Sequence, residues 1–202
     1  MKNLVDWNED YKRILPKLEN TFEMIPFRRG KCWVMYYLAR QAIGGAIVEL
    51  GTWVGNGTAA LCFGTLDGNN LPVHTVDWFI DYVGKTGDVH YPHDIVIFQE
   101  KMEQLHLSPI LHHGSFLDVG KEWKLPIALM MWEGSLAPTG EELEVWEKHI
   151  ISGGVISLRD TLNEALGCRP MIEGLISSGR YTSNLGDKPE VWTGRFLIAH
   201  KK

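Results

Sequence analysis

The chain has 202 residues, of which 45% are hydrophobic and 22% are charged, and these values suit one globular domain with a sizeable core. The net charge of −5 and the absence of a basic run argue against a nucleic-acid-binding protein. No apolar run approaches the ~18 residues of a membrane span. The N-terminus has no signal-peptide core, and the three cysteines form no metal or disulfide pattern. We therefore expect a cytoplasmic protein without a membrane partner.

Apolar periodicity predicts helices and strands that alternate along most of the chain. Helices are predicted at 8–22, 31–43, 57–66, 94–107, 138–150 and 164–179. The helix at 138–150 begins with a capping box, Thr139 and Glu142, and is expected to end at Ser-Gly-Gly 152–154. Pro170 is expected to interrupt the helix at 164–179. Strands are predicted at 46–51, 72–78, 109–115, 125–135 and 155–160, and a long polar loop at 79–94.

The last 23 residues, from Arg180, predict two strands joined by a Gly-Asp-Lys-Pro turn, and hence an antiparallel hairpin. The whole pattern predicts a Rossmann-like, doubly wound α/β sheet that is mostly parallel and ends in this hairpin. Such sheets bind ligands outside the carboxyl ends of their strands. The residues at these ends are Glu49 to Gly57, Asp77, Gly114 and Ser115, Glu133 and Asp160.

A glycine-containing loop follows the first of these strands, with the pattern Glu49-x-Gly51-x-Trp53-x-Gly55-x-Gly57. It fails the dinucleotide fingerprint, whose second and third glycines would fall on Trp53 and Asn56. It also lacks the Gly-Lys-Ser/Thr sequence of a phosphate-binding P-loop. A nicotinamide-dependent oxidoreductase is therefore disfavoured.

The same loop suits a ligand that carries a carboxylate and no phosphate. Small residues allow a close approach of the backbone, and the helix that begins near Gly57 directs its N-terminus, which favours an anion, at the site. Asp77 ends the second strand, 20 residues beyond Gly57, where an acid can accept hydrogen bonds from both hydroxyls of a ribose. S-adenosylmethionine combines a ribose, an adenine and a carboxylate.

Five stretches, in chain order, resemble the motifs of one enzyme family: VELGTWVGNGT, VHTVDWF, HHGSF, LPIALMMWEGS and WEKHIISGGVISLRDT. The chain resembles class I S-adenosylmethionine-dependent methyltransferases, and most of all the small O-methyltransferases that include catechol O-methyltransferase and the "methyltransferase family 24" proteins. The resemblance runs from about residue 43 to residue 162. It implies one methyltransferase-like domain over 1–202, with helices in 1–43 capping the substrate site. It also implies a homodimer and a small-molecule acceptor, such as a phenol or a sugar.

The resemblance also implies where the cofactor binds. Gly51, Gly55 and Gly57 would line its methionine side, Thr58 would bond its carboxylate, and Asp77 would hold its ribose. Trp78 and Phe116 would flank the adenine. The other implied cofactor-binding residues are Glu49, Trp53, Gly114, Ser115 and Glu133, of which Glu49 more often supports such a loop than touches the ligand.

In the metal-dependent members of this branch, a divalent ion is held by acids that end the fourth and fifth strands. The matching residues are Glu133, Asp160 and Thr161, and Mg²⁺ suits such oxygen ligands. Here Glu replaces Asp and Thr replaces Asn, which departs from the family's pattern. Two alternatives for Glu133 are a contact to substrate or cofactor and, through burial that raises its pKa, a general base. The alternative for Asp160 is a structural acid.

Two histidines of the polar loop, His90 and His93, are further candidates for the general base, against the alternative that both lie on a mobile surface. The catalytic candidates are thus Glu133, Asp160, His93 and His90. The sequence predicts a methyltransferase that acts on a hydroxyl, with or without a metal. The alternative is a divergent S-adenosylmethionine-binding protein of the same fold that has another reaction or transfers no methyl group.

Overall fold

The computed structural model describes residues 26–83, 89–134, 138–159, 168–183, 190–192 and 196–202. The helices of this part are α1 (Pro26–Gln41), α2 (Asn56–Leu66), α3 (Asp94–Gln104), α4 (Phe116–Glu122), α5 (Gly140–Glu147) and α6 (Cys168–Ser177). The strands are β1 (Ala46–Leu50), β2 (Val73–Asp77), β3 (Tyr82–Val83), β4 (Val89–His90), β5 (Ile110–His113), β6 (Ile127–Trp132), β7 (Ile150–Arg159), β8 (Tyr181–Thr182), β9 (Glu190–Trp192) and β10 (Phe196–Lys201).

One mixed sheet organises the fold, in the order β5-β2-β1-β6-β7-β10-β8, and β9 also pairs with β10. The five strands from β5 to β7 are parallel to their neighbours. The last strand, β10, runs antiparallel to β7, β8 and β9. The predicted fold class, a mostly parallel doubly wound sheet with an antiparallel C-terminal part, is confirmed.

Side chains that alternate along the central strands fill two apolar layers, one on each face of the sheet. Ile47 of β1 lies in the layer shared with α1, α2 and α3, whereas its neighbour Val48 lies in the layer shared with α4, α5 and α6. In the first layer α1 packs closely on α2: a Cβ atom at Gly64 would lie 2.3 Å from the carbonyl oxygen of Tyr36. Glycine therefore sets the distance between these two helices.

The capping box predicted for α5 is confirmed, with Thr139 and Glu142 bonding each other's backbone. The predicted end of this helix at Ser-Gly-Gly is wrong, because α5 ends at Glu147 and β7 begins at Ile150. Register along β6 explains the difference: Ile127 and Leu129 pair with Ile150 and Val155, so β7 carries extra residues and bulges at 152–154.

Other predicted elements differ in detail. Pro170 is the third residue of α6, within the first turn, where its missing N–H costs no helical bond, so it does not interrupt the helix. The polar loop contains the short β3–β4 ladder, and the helix α4 was not predicted. The helix at 8–22 and the Gly-Asp-Lys-Pro turn lie outside the described residues. The one-domain boundary and the N-terminal cap stay predictions. Among the described helices, none has both the length and the apolar character needed to cross a membrane.

Candidate functional site

The direction in which strands are added reverses beside β1, because the chain continues from β1 to β2 and β5 on one side and then crosses to β6 on the other. Leu50, the last residue of β1, pairs with Val76 and with Trp132. This register brings the ends of β1, β2 and β6 to one level, so Gly51, Asp77 and Glu133 follow side by side. Doubly wound sheets bind their ligands at such a switch point.

The glycine loop leaves β1 through three left-handed backbone conformations, at Gly51 (φ 102°), Trp53 (φ 50°) and Gly55 (φ 83°). A Cβ atom at Gly51 would lie 2.8 Å from the carbonyl carbon of Glu133, and one at Gly55 would lie 2.7 Å from a ring atom of Phe98. Both glycines are therefore required by backbone angle and by space. The loop is held tightly between β6 and α3, and it delivers the chain to the first turn of α2.

Asp77 fixes this loop to the end of β2. Its Oδ2 accepts hydrogen bonds from the backbone N–H groups of Thr52 and Trp53, each at 2.8 Å, and its Oδ1 accepts one from Phe79 at 3.0 Å. The carboxylate thus organises the loop, a role that the sequence analysis did not assign to it. Two carboxylate oxygens offer about four acceptor sites, so contact with ribose hydroxyls stays a prediction that is compatible with these bonds.

Glu49 lies inside the protein beneath the loop, with 1% of its surface exposed. Its Oε2 accepts hydrogen bonds from the hydroxyls of Thr58, at 2.5 Å, and Thr75, at 2.9 Å. Burial is the main cause that raises the pKa of this carboxyl to about 8, with the hydrogen bond from Thr58 acting against it. Glu49 is therefore mostly protonated at neutral pH. The Thr58 hydroxyl donates its only proton to Glu49, and a bond between Thr58 and a cofactor carboxylate stays a prediction.

Glu133, at the end of β6, forms an ion pair with Lys31 of α1. The Glu133 side chain is 2% exposed and that of Lys31 is 23% exposed. The charges of both residues also act on Glu49, whose pKa the Glu133 carboxylate raises and the Lys31 ammonium lowers. Sequence reasoning missed Lys31, although it begins the otherwise apolar run KCWVMYYLA, where a cation beside buried residues indicates a partner.

The predicted adenine-side residues follow β2 and β5. Trp78, directly after Asp77, is an aromatic residue with 51% of its surface exposed. The Gly114 N–H donates to the carbonyl oxygen of Asp77 at 3.0 Å, which joins the two strand ends. The structure therefore brings Asp77, Trp78 and Gly114 together.

Ser115 and Phe116 begin the helix α4. The Ser115 hydroxyl accepts a bond from the backbone N–H of Asp118 at 3.0 Å and donates to the Asp118 carboxylate at 2.6 Å, so it serves as the helix cap. The half-buried Phe116 ring packs edge-on against Trp132, with 5.0 Å between centroids. Stacking of Phe116 on an adenine stays a prediction.

Of the two candidate bases, the structure brings His90 to the glycine loop. The His90 ring lies edge-on to Trp53 with 5.8 Å between centroids. His93 is exposed just before α3 and stacks on Tyr91 at 5.2 Å. His90 is therefore the better placed of the two for chemistry at the end of β1.

Asp160 and Thr161, two of the three predicted metal ligands, lie outside the described residues. Within the described ranges, no three His, Cys, Asp or Glu side chains are grouped so that they would hold a metal ion. At Glu133, the third predicted ligand, an ammonium group already pairs with the carboxylate. A metal ion at Glu133 would therefore meet the charge of Lys31, and the predicted site with Asp160 and Thr161 stays a prediction.

No protein-family model matches the chain, and no curated protein matches its sequence. Solved structures do match its fold. An SAH-bound methyltransferase from Podospora anserina, PaMTH1, shares a TM-score of 0.65 at 14% identity, over 94% of this chain and 87% of that one. CalS11, a calicheamicin methyltransferase, shares 0.66 at 14% identity, over 99% and 94%. A putative caffeoyl-CoA O-methyltransferase from Staphylococcus aureus shares 0.61 at 14% identity, over 98% and 97%. The chain therefore has the class I methyltransferase fold, as the sequence motifs predicted.

Proposed function

We propose that this chain binds S-adenosylmethionine at the ends of β1, β2 and β6 and transfers its methyl group to a hydroxyl of a small molecule. The observation that carries the proposal is the glycine loop at the switch point, with Gly51 and Gly55 in left-handed conformations and Asp77 bonded to the loop backbone. The SAH-bound state of PaMTH1, which has the same fold, supports this choice of cofactor.

The chemistry of the described residues suits this cofactor. The loop has no lysine to balance a pyrophosphate, and it leads into the N-terminal end of α2, where backbone N–H groups favour a single carboxylate. Asp77 keeps acceptor capacity for ribose hydroxyls. The exposed Trp78 offers an aromatic face to an adenine.

Bound S-adenosylmethionine supplies a methyl group on a positively charged sulfur, and methyl transfer to a hydroxyl oxygen leaves the electron pair of the broken carbon–sulfur bond on that sulfur. The glycine loop and Asp77 orient the cofactor for this reaction. A ring nitrogen of His90 takes the proton that the acceptor hydroxyl loses. Since the Glu133 carboxylate is paired with Lys31, it is less available than His90 as a base.

Two measurements test the proposal. Calorimetric titration with S-adenosylhomocysteine should show saturable binding, and S-adenosylmethionine with a labelled methyl group should label members of a panel of phenols and sugars. His90→Asn should lower the rate of labelling by at least about tenfold and leave the affinity for S-adenosylhomocysteine unchanged. His106→Asn is the matched control, because His106 is exposed and its left-handed backbone (φ 55°) suits asparagine. Absence of binding heat would overturn the proposal.

A second candidate function is a protein that binds the cofactor without transferring the methyl group. One observation favours it: the side chains of Thr58, Asp77 and Glu133 are all engaged by other groups of the protein. Saturable binding of S-adenosylhomocysteine without labelling of any acceptor would support this candidate. If the wild-type protein labels an acceptor and His90→Asn abolishes that labelling, this second candidate function is excluded.

A further inference from the structure

Lys31 is a charged residue at the edge of a buried helix face. The residues that follow it on α1, from Cys32 to Tyr36, are each at most 3% exposed and belong to the core. The Lys31 ammonium reaches from this helix to Glu133 at the end of β6. A residue of the first helix thus takes part in the switch-point site.

The two acids near Lys31 are both removed from water. Glu49 is 1% exposed and Glu133 is 5% exposed; Glu49 lies in β1 and Glu133 directly follows β6, the two strands at the reversal in strand order. An unpaired buried carboxylate is costly, so a positive partner stabilises the charged form of Glu133. Lys31 is the partner that the structure shows, and its charge also reaches Glu49.

We propose that the Lys31 ammonium, rather than a divalent metal ion, supplies the positive charge at Glu133, so that the methyl transfer of the proposed function needs no metal. Lys31 acts here as a positioning residue, because it holds the Glu133 carboxylate at the end of β6. Loss of its charge leaves Glu133 as a buried carboxylate without its ammonium partner, which lowers the stability of the folded chain.

The chemistry of an ammonium group supports this assignment. Lysine carries three N–H donors and no acceptor, and the ion pair with Glu133 occupies one side of the ammonium. With 23% of its surface exposed, Lys31 keeps contact with solvent beside the strand ends. It can therefore hold a carboxylate and approach an oxygen of a bound ligand, as a metal ion with open coordination positions does.

Manganese(II) binding, followed by electron paramagnetic resonance, tests the proposal without any assay of methyl transfer. The wild-type protein and Lys31→Arg, which keeps the charge, should bind no stoichiometric Mn²⁺. Lys31→Met should lower the midpoint of thermal unfolding, because it leaves Glu133 buried without its ammonium partner, and Glu133→Gln in the same chain should restore most of the loss. Lys121→Met is the matched control, because it removes an exposed ion pair with Glu141 and should change the midpoint little.

Stoichiometric Mn²⁺ binding by the wild-type protein that Glu133→Gln abolishes would overturn the proposal, and so would an unfolding midpoint that Lys31→Met leaves unchanged. If Lys31→Met does not fold, the wild-type Mn²⁺ titration decides alone. Where labelling of an acceptor is found, chelation by EDTA should change its rate by less than about twofold, whereas a metal-assisted reaction would lose orders of magnitude. Failure of the proposed function would instead appear as absent binding of S-adenosylhomocysteine.

Discussion

The protonated state of Glu49 gives the stability of this protein a pH dependence that one substitution removes. In the folded chain the pKa of the Glu49 carboxyl is raised to about 8, whereas an ordinary glutamate has a pKa of 4.5. The folded chain therefore keeps this proton until the pH approaches 8. Because the folded state binds the proton more tightly than the unfolded state, the contribution of Glu49 is fully present below pH 4.5. This contribution is lost as the pH rises through 8.

The magnitude follows from the shift. Each pKa unit corresponds to about 1.4 kcal/mol, so the rise from 4.5 to about 8 amounts to roughly 4–5 kcal/mol when Glu49 is fully ionised. Glu49→Gln keeps an oxygen that accepts from Thr58 and Thr75 and carries no charge at any pH. Between pH 5 and pH 8, the free energy of unfolding of the wild-type protein should therefore fall by about 4 kcal/mol relative to that of the variant.

Urea unfolding of the ligand-free protein at a series of pH values measures this difference directly. Subtracting the free energy of unfolding of the wild type from that of the variant at each pH removes the contribution of every other titrating group. Glu144→Gln, which removes an exposed carboxyl group of α5, is the matched control. Parallel profiles for Glu49→Gln and the wild type would contradict the prediction, since they would show that Glu49 ionises alike in both states.

Three further substitutions test other parts of the site. In urea unfolding, Gly51→Ala should cost more than about 2 kcal/mol of stability, because the Cβ atom of the new alanine meets the backbone of Glu133. Gly153 is also left-handed but lies in open space, so Gly153→Ala should cost only about 1 kcal/mol. Asp77→Ala should destabilise the protein by about 1–3 kcal/mol, because it frees loop N–H groups, and should abolish calorimetric binding of S-adenosylhomocysteine; unchanged affinity would contradict this. The pKa of His74 is lowered to about 4, mainly by burial, so its contribution to stability is present above pH 6.5 and is lost as the pH falls toward 4. Acid unfolding of His74→Phe should therefore begin at a lower pH, and an unchanged midpoint would count against the buried neutral histidine.

Much of the fold was predictable because the residues that specify it are neighbours in sequence. Apolar runs ending in Glu49, Asp77 and Glu133 identified three of the parallel strands, and their carboxyl ends meet in the structure. The end of α5 was mispredicted because glycines usually stop a helix, whereas here they lie in a bulge of β7. That difference depends on pairing with β6, which the local sequence does not contain.

The internal bonds of the candidate site were less predictable than its location. Lys31 precedes Glu133 by 102 residues, and no spacing rule links a cation on the first described helix to the end of β6. Similarly, Asp77 and Thr58 were assigned to the cofactor, and the structure shows that each also holds a part of the loop or the strand beneath it. Such bonds arise from the register of β1 against its neighbours, which places these side chains together.

A crystal structure of the protein with S-adenosylhomocysteine would show whether the cofactor binds at the strand ends. We expect density for the ligand along Gly51 to Gly57, with the ribose beside Asp77 and the adenine beside Trp78. No bound ligand at saturating concentration would contradict the proposed function. A ligand seated elsewhere, for example in the groove of about 300 Å³ lined by Phe98, Met102 and Leu111, would contradict it equally.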